Sequence, residues 1–286
     1  MKGIIVYSKE DYEKNSFFVK RASDVMAESG HGLELVFSHD ICEKHNIQEY
    51  DFAIVRTISP DISKYLESCG LITFNSSKVS QIANNKFHAC YFAKKCGLNS
   101  IPTRFCARFP SINVINLCMR EYNTDNLIVK TIDGHGGSEV YLVNSYNYSQ
   151  VKNDILKKHK KKYWVIQPQI KGIAKDVRIY VLDNKPVCGI LRSSETNYKS
   201  NFSLGGNVKV LNLDDKLIKQ LNLLTNSIYM DYAGVDFIID EKGKYYFNEI
   251  EDVVGARMLY KCTEYDIISM FMRHIIDKVY DKKYNI

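Results

Sequence analysis

A strongly β-forming stretch with several acidic residues, 234–251, constrains the fold of this chain most, because it predicts a β-hairpin. Two runs rich in β-branched and aromatic residues flank a turn at residues 240–243. A symmetric turn would place Asp236 opposite Phe247. The faces on which the remaining side chains of the hairpin lie then follow, because successive side chains of a strand point to opposite faces.

Three carboxylates are predicted to share one face of this hairpin, namely Asp236, Glu249 and Glu251. Ionised carboxylates close together repel one another and lose hydration when they are buried. A hard divalent cation with oxygen ligands relieves both costs, and Mg²⁺ held partly by phosphate groups is a common form. The pattern indicates nucleotide chemistry, while a hairpin whose carboxylates simply face water stays open as the alternative.

The length and composition limit the class of protein. The 286 residues, 45% of them apolar, can bury a sizeable core in one large domain or two to three smaller ones. No run of 18 apolar residues is present, and the strand pattern that begins near Met1 resembles no signal peptide. The eight cysteines include no Cys-x-x-Cys pair, which indicates reduced thiols in a cytoplasmic protein, not disulfides or a zinc site.

The formal net charge of +6 is modest, and its densest part is the basic run Lys157–Lys162. Such a run can bind nucleic acid. It also ends a predicted helix, where cations interact favourably with the helix C-terminus. Since no aromatic and basic RNA-binding motif accompanies it, we expect neither a nucleic-acid nor a membrane partner.

The chain divides into three regions with different patterns. Residues 1–78 alternate strands and helices, which predicts a small parallel sheet, and one long helix is predicted at Val79–Cys96. Residues 79–165 contain two antiparallel strands around a glycine-rich loop. Residues 166–286 contain further strands, the acidic hairpin and a closing helix. The predicted fold class is therefore α/β, with three lobes of mixed composition.

The glycine-rich loop follows Lys130, which lies on an apolar strand. Gly134, Gly136 and Gly137 would let backbone N–H groups approach an anion closely. A lysine in such a strand usually needs an anionic partner. The loop has neither a Gly-x-Gly-x-x-Gly nor a Walker A sequence, so an ordinary hairpin loop stays open beside the phosphate-site interpretation.

Two more polar clusters follow. Asp176 and Arg178 share a face of one predicted strand, where they could simply pair with each other. Arg192 ends an apolar strand and would form a surface ion pair or, beside a phosphate, neutralise charge during transfer. A polar loop from Lys199 to Gly206 ends in two glycines.

In this order, the features resemble the ATP-grasp superfamily, and most closely its RimK-type carboxylate–amine ligases. The resemblance covers nearly the whole chain, from the strand Ala53–Arg56 through Lys86 to the acidic hairpin. It implies that the three regions are an N-terminal pre-ATP-grasp lobe, a central lobe with the glycine-rich loop and a C-terminal lobe with a metal site. ATP would be clamped between antiparallel sheets.

The resemblance assigns ATP contacts position by position. Two lysines would contact the phosphates and the glycine-rich loop would close over them: Lys86, Lys130, Gly134, His135, Gly136, Gly137 and Ser138. A hinge would hold adenine through its backbone, and further polar residues would lie near the ribose and the nucleotide: Gln167, Pro168, Gln169, Ile170, Asp176, Arg178, Lys199 and Ser200.

The resemblance assigns the chemistry as well. Two Mg²⁺ ions are expected on the three hairpin carboxylates, with Mn²⁺ as an alternative, and Arg192 and Asn201 are expected at the reacting groups. Arg257 would bind a substrate carboxylate or form a structural ion pair with Glu251 or Asp252. Arg56 would line the substrate cleft or serve packing.

Some positions depart from the family pattern. Glu251 stands where Asn is common, which adds a charge that could tighten Mg²⁺ binding or change the metal preference. Pro168 replaces a frequent acidic residue, and Leu204 stands where Arg often precedes the Gly-Gly pair. Residues 252–257 differ from the familiar Asn-x-x-Pro-Gly ending, which leaves the acceptor open.

The resemblance implies an ADP-forming ligase that makes an amide or peptide bond through an acyl phosphate. The substrates would be a small-molecule or peptide carboxylate and an amine, as in the addition of glutamate to a peptide, protein or metabolite. Association into a homo-oligomer is compatible with this class. The alternative is a nucleotide-binding module that has lost catalysis and acts through a partner.

Overall fold

The computed structural model describes residues 1–43, 46–134, 137, 139–158, 162–172, 174–194 and 207–284. The strands of this part form one parallel and two antiparallel sheets, which confirms the predicted α/β class. None of the helices described is both long enough and apolar enough to cross a membrane.

The N-terminal sheet is parallel, and its strands alternate with helices as the sequence predicts. Its elements are β1 Lys2–Tyr7, α1 Lys9–Glu28, β2 Gly32–Phe37, β3 Phe52–Val55, α2 Pro60–Ser68 and β4 Ile72–Phe74. The strand order is β2-β1-β3-β4. All four residues of β3 are buried, as expected for a parallel strand covered on both faces.

The single helix predicted at Val79–Cys96 is wrong, because the structure has two helices there: α3 Ser77–Ala83 and α4 Lys86–Lys95. Asn85 between them has an extended backbone, with φ −132° and ψ 107°. Its side-chain oxygen accepts hydrogen bonds from the N–H groups of Phe87 and His88, at 3.1 and 3.0 Å. Asparagine is a favoured N-cap, so it starts a new helix with Lys86 in the first turn.

The central sheet is antiparallel. It comprises β5 Arg104–Cys106, α5 Ile112–Tyr122, β6 Leu127–Thr131, β7 Val140–Val143, α6 Tyr148–Lys158 and β8 Trp164–Pro168. The strand order is β5-β8-β6-β7. Val129, Trp164 and Ile166 form a core with residues of α5 and α6 on one face. Lys130 alternates with Val129, so it lies on the opposite face.

The C-terminal sheet is the largest. Its region comprises β9 Ala174–Leu182, β10 Lys185–Ser194, β11 Asn207–Leu211, α7 Asp215–Thr225, β12 Tyr232–Ile239, β13 Tyr245–Glu251, α8 Arg257–Cys262 and α9 Ile267–Tyr284. The strand order is β11-β10-β9-β12-β13, antiparallel throughout. Val177, Ile179 and Phe237 form a core with buried residues of α3, α4 and α7.

The opposite face of this sheet joins the N-terminal region. Tyr180 and Tyr232 share a core with Phe18 of α1, Phe74 of β4 and Phe271 of α9. The two ends of the chain therefore bury apolar surface against each other. Arg178 lies on the same face of β9 as Tyr180, two residues earlier. The apolar core therefore ends at Arg178, and a cluster of charged side chains adjoins it.

Candidate active site

The acidic hairpin forms with a different register from the symmetric one. Asp236 pairs with Glu249, not with Phe247, so that prediction is wrong. A β-bulge at Asn248 adds one residue to β13, and Phe247 pairs with Phe237 instead. The bulge keeps the three carboxylates on one face, because Glu251 lies opposite Gly234, two residues before Asp236 on β12.

Two buried arginines contact these carboxylates. Arg178 donates to both oxygens of Asp236, with Nε–Oδ1 2.8 Å and Nη2–Oδ2 2.7 Å, and its Nη1 lies 2.7 Å from Oε2 of Glu251. Arg192 donates from Nη2 to Oδ2 of Asp236 at 2.6 Å and from Nε to Oδ1 of Asp176 at 3.1 Å. The alternative pair between Asp176 and Arg178 is therefore wrong, because each of these side chains bonds to a partner on a neighbouring strand.

The arginines neutralise the cluster unevenly. Burial disfavours the charge of Asp236, yet Arg178 and Arg192 hold the pKa of Asp236 at about 2. Burial raises the pKa of Glu251 above its ordinary value, and the positive charge of Arg178 does not offset it. Glu251 is therefore compensated less fully by positive charge than Asp236.

Two lysines reach the hairpin from other elements. Lys86, at the start of α4, donates to the carbonyl oxygen of Gly134, and its Nζ lies 3.7 Å from Oε2 of Glu249. Lys130, on β6, donates to Oδ1 of Asn248 at 3.0 Å. Burial lowers the pKa of Lys130. These lysines and the hairpin carboxylates thus meet between the central and C-terminal sheets.

The oxygen donors suit Mg²⁺ chemistry without forming a complete cage. In the part of the chain that the structure describes, no three histidine, cysteine or carboxylate side chains converge as a ready metal site. Both oxygens of Asp236 already accept from arginine. Glu249 and Glu251 remain partly exposed, and Mg²⁺ commonly takes only one or two carboxylates together with phosphates. The donor set therefore fits the ion at these two glutamates.

The predicted hinge begins with Gln167, whose side chain is buried. Its Nε2 donates to Oγ1 of Thr103 at 2.8 Å and lies 3.5 Å from Sγ of Cys90. The backbone N–H of Gln169 donates to the carbonyl of Asn126 at 3.1 Å. The side chain of Gln167 is thus engaged within the protein, which agrees with a hinge that would contact a ligand through its backbone. The contacts predicted for Pro168 and Ile170 stay predictions.

The glycine-rich loop is described in part. A Cβ on Gly134 would lie 2.3 Å from Oγ1 of Thr131 and 2.6 Å from Oε2 of Glu139, so a larger residue there would displace these side chains. Gly137 has φ +76°, which also favours glycine. The other predicted residues of the two loops lie outside the described residues: His135, Gly136, Ser138, Lys199, Ser200, Asn201 and Leu204.

Two further arginines differ in environment. Arg257 is exposed at the first residue of α8 and, among the described residues, forms no ion pair with Glu251 or Asp252. Arg56 is buried instead, with Nη2 donating to the carbonyl of Val254 at 2.9 Å and its guanidinium 4.1 Å from the ring of Phe18. The packing alternative for Arg56 fits these contacts better than an open cleft position.

Asn75 and Asn248 were assigned no role from the sequence. The Asn75 side chain donates to the carbonyl of Tyr232 at 2.7 Å and accepts from the N–H of Asp231 at 2.7 Å, which ties the end of β4 to the start of β12. Oδ1 of Asn248 accepts a hydrogen bond from Nζ of Lys130. The partner of each asparagine is more than 100 residues away in sequence, so no local pattern indicates the contact.

Two antiparallel sheets that bring lysines and carboxylates together are the arrangement that the ATP-grasp resemblance predicts. The D-alanine–D-alanine ligase of Bacillus anthracis, solved with ATP, matches the fold with TM-score 0.76 over 99% of this chain and 98% of that chain, at 15% identity. The residues 97–275 match the RimK-like ATP-grasp domain, and since they span more than half of the chain, it belongs to that family. It is therefore an ATP-grasp ligase that forms C–N bonds.

Two relatives align over most of their length. The tetrahydromethanopterin:alpha-L-glutamate ligase of Methanocaldococcus jannaschii is 27% identical over 96% of this chain and 94% of that protein. A Mycoplasma genitalium protein described as "Uncharacterized protein MG011" is also 27% identical, over 97% of this chain and 93% of that protein. Both similarities extend from the N-terminal sheet to the C-terminal one.

Proposed function

We propose that this chain joins the carboxylate of one substrate to the amine of another through an acyl phosphate, with an amino acid such as glutamate as one reactant. The observation that carries the proposal is the meeting of Lys86 and Lys130 with Glu249 and the hairpin. The name of the Methanocaldococcus relative, a glutamate ligase, supports an amino acid substrate. So does that of the Saccharolobus solfataricus relative, an alpha-aminoadipate–LysW ligase.

The first step activates the carboxylate. A carboxylate oxygen attacks the γ-phosphorus of ATP, the bond from that phosphorus to the β,γ-bridging oxygen breaks, and ADP leaves. Lys86 and Lys130, which lie beside Glu249 and Asn248, would supply positive charge to the phosphate oxygens as they gain negative charge. Glu249 and Glu251 would hold Mg²⁺, which neutralises phosphate oxygens when it is bound.

The second step forms the amide. The amine nitrogen attacks the acyl carbon, the bond from that carbon to the phosphate oxygen breaks, and inorganic phosphate leaves with the electron pair. The nitrogen then loses one proton to solvent or phosphate. Arg192, fixed by Asp176 and Asp236, would stabilise the negative charge that develops at the reacting groups. The remaining task of the protein is orientation.

The test combines phosphate release with product mass. The purified chain is incubated with ATP, Mg²⁺ and pairs of amino acids or peptides, and a product heavier by one condensed amino acid is expected. The E249Q/E251Q variant should lose on the order of 10²–10³-fold in kcat/KM, comparable to loss of transition-state charge stabilisation. The exposed carboxylate variant E241Q, in the turn of the same hairpin, is the matched control and should retain activity. Nucleotide binding without phosphate release across a broad substrate panel would contradict the proposal and favour a binding module.

A further inference from the structure

A cavity of about 650 Å³ lies beside the candidate active site, between α4 and the segment that leads into β5. Its walls are mostly apolar, with Phe87, Tyr91, Leu98 and Ile101 among them. A volume and a lining of this kind are typical of small-molecule sites. None of the residues placed above in the ligase chemistry lines it.

The charge of the cavity has one sign. Lys94 and Lys95 are exposed at its edge, and no carboxylate belongs to its described lining. Nζ of Lys95 lies 4.9 Å from the ring centre of Tyr91. Neither lysine forms an ion pair with any residue of the described part of the chain. Lys94 and Lys95 at the edge and the apolar lining beneath them complement a small organic anion with an apolar body.

The side chains of Ser100 and Asn99 in the cavity already have partners. Oγ of Ser100 donates to the carbonyl of Cys90 at 3.2 Å, and the amide of Asn99 donates to the carbonyl of Tyr245 at 2.6 Å. A ligand would therefore depend on the lysines and the Tyr91 hydroxyl for polar recognition and on the apolar walls for burial.

Two residues that line the cavity also contact residues predicted to bind the nucleotide or to support those that do. Thr103 and Cys90 line the cavity, and both contact Nε2 of Gln167 at the hinge, at 2.8 and 3.5 Å. On the other side, Sγ of Cys90 donates to the carbonyl of Asn248 at 3.5 Å, and Asn248 accepts from Lys130. The cavity thus borders supports of both the hinge and a phosphate-site lysine.

We propose that this cavity is an effector site for a small organic anion with an aromatic or other apolar body, and that its occupant raises the affinity for nucleotide. The occupant would pack between α4, which begins with Lys86, and Thr103, which holds Gln167. Fixing these supports in advance lowers the ordering cost of nucleotide binding, and the coupling is reciprocal. This inference goes beyond the proposed function, because it requires nucleotide binding but no turnover.

The binding test uses a pair of fluorescent probes that differ by one charge. 1-Anilinonaphthalene-8-sulfonate carries a sulfonate, and N-phenyl-1-naphthylamine lacks it. We expect one tight sulfonate site per chain, and at least fivefold weaker sulfonate binding in K94Q/K95Q, with the neutral probe changed by less than twofold. The matched control is K216Q/K219Q, which neutralises two exposed lysines on α7 and should change neither affinity. Thermal melting checks that each variant is folded.

The coupling test measures the sulfonate probe and MgADP together. Each ligand is expected to tighten the binding of the other by the same factor, at least threefold. T103V, which removes the acceptor for Gln167, should bring this factor close to one without weakening the probe, and T103S should restore it.

Three results would overturn the inference. One is a sulfonate affinity that is equal in the wild type and K94Q/K95Q. Another is mutual exclusion of the probe and MgADP, which would place the probe in the nucleotide cleft. The third is independent binding of the two ligands. A failure of the ligase assay with every substrate would leave these binding measurements unaffected, so the two proposals fail separately.

Discussion

Asp236 and Glu251 lie in one cluster, yet their charges are balanced differently. Asp236 is 1% exposed, and an ionised carboxylate at that depth is costly unless it is paired and hydrogen-bonded. Arg178 and Arg192 meet both requirements and keep Asp236 ionised. Glu251 pairs with Arg178, and burial raises the pKa of Glu251. A cation brought by the substrate would therefore gain most at Glu251.

The variant R178M should destabilise the protein strongly. It leaves Asp236 and Glu251 without their shared partner, and breaking a buried ion pair typically costs about 3–5 kcal/mol. Urea unfolding at pH 7 measures the change. The double variant R178M/D236N should recover at least about 1 kcal/mol relative to R178M, since it removes one unpaired charge. Additive losses from R178M and D236N would show that the two side chains are not coupled.

At the scale of elements, one asparagine decides where a lysine lies. The cap at Asn85 ends the extended link after α3 and starts α4, so that Lys86 points to the carbonyl of Gly134. A continuous helix across 77–95 would change the direction of that side chain. The cap therefore connects a local backbone preference to the geometry of the site.

Replacing this cap tests the connection. N85A should lower stability by about 1 kcal/mol, as expected for a lost N-cap, and weaken MgATP binding because Lys86 loses its fixed position. N85D keeps the capping oxygen and should retain both properties. S111A, at the N-cap position of α5, is the control: its side chain makes no capping hydrogen bond. Equal MgATP affinity in N85A and the wild type would contradict the prediction that the cap positions Lys86 for nucleotide binding.

Glu67 joins three elements and predicts a pH dependence. Burial alone would raise its pKa, but hydrogen bonds from Ser77 and Thr73 lower it below 4.5. A lowered folded-state pKa adds stability that is complete above pH 4.5 and is lost as the pH falls through the folded-state value. E67Q should therefore cost on the order of 1–2 kcal/mol at pH 7, as for hydrogen bonds to a charged group. The difference from wild type should shrink below pH 4.5, and a constant difference in urea unfolding from pH 7 to pH 3.5 would contradict this.

Sequence patterns predicted the elements better than their connections. Apolar runs and periodicity identify the strands on both sides of the glycine-rich loop, because burial sets those patterns. The bulge at Asn248 and the cap at Asn85 depend on one residue each, which no periodicity records. Asp176 pairs with Arg192 of β10, and Arg178 pairs with Asp236 of β12. These pairs depend on the strand order, which the pattern along a single strand does not give.

At the scale of the whole molecule, the apolar cores connect the ends of the chain and leave the central sheet with a core of its own. Residues of β1, α1, β12 and α9 share one cluster, which includes Phe18, Tyr232 and Phe271. The core around Trp164 involves only the central region. The boundaries predicted near residues 78 and 165 stay predictions. The N-terminal sheet contributes Ile5 and Phe74 to the shared cluster, and it also has a separate core that includes Ile4, Val36 and Leu66.

Two matched core variants test whether the first boundary separates independent folding units. F271A and W164A each remove a buried aromatic side chain, which costs about 3–5 kcal/mol. Hydrogen exchange under native conditions reports the stability of each sheet separately. F271A should lower the protection of amides in β1 and β12 together, although β1 lies more than 200 residues away in sequence, because both strands bury side chains in the same core. W164A should lower protection in β6 and β8 and leave β1 near its wild-type value. If F271A changed β12 and left β1 protected, the N-terminal sheet would have enough core of its own, and the first boundary would mark an independent domain.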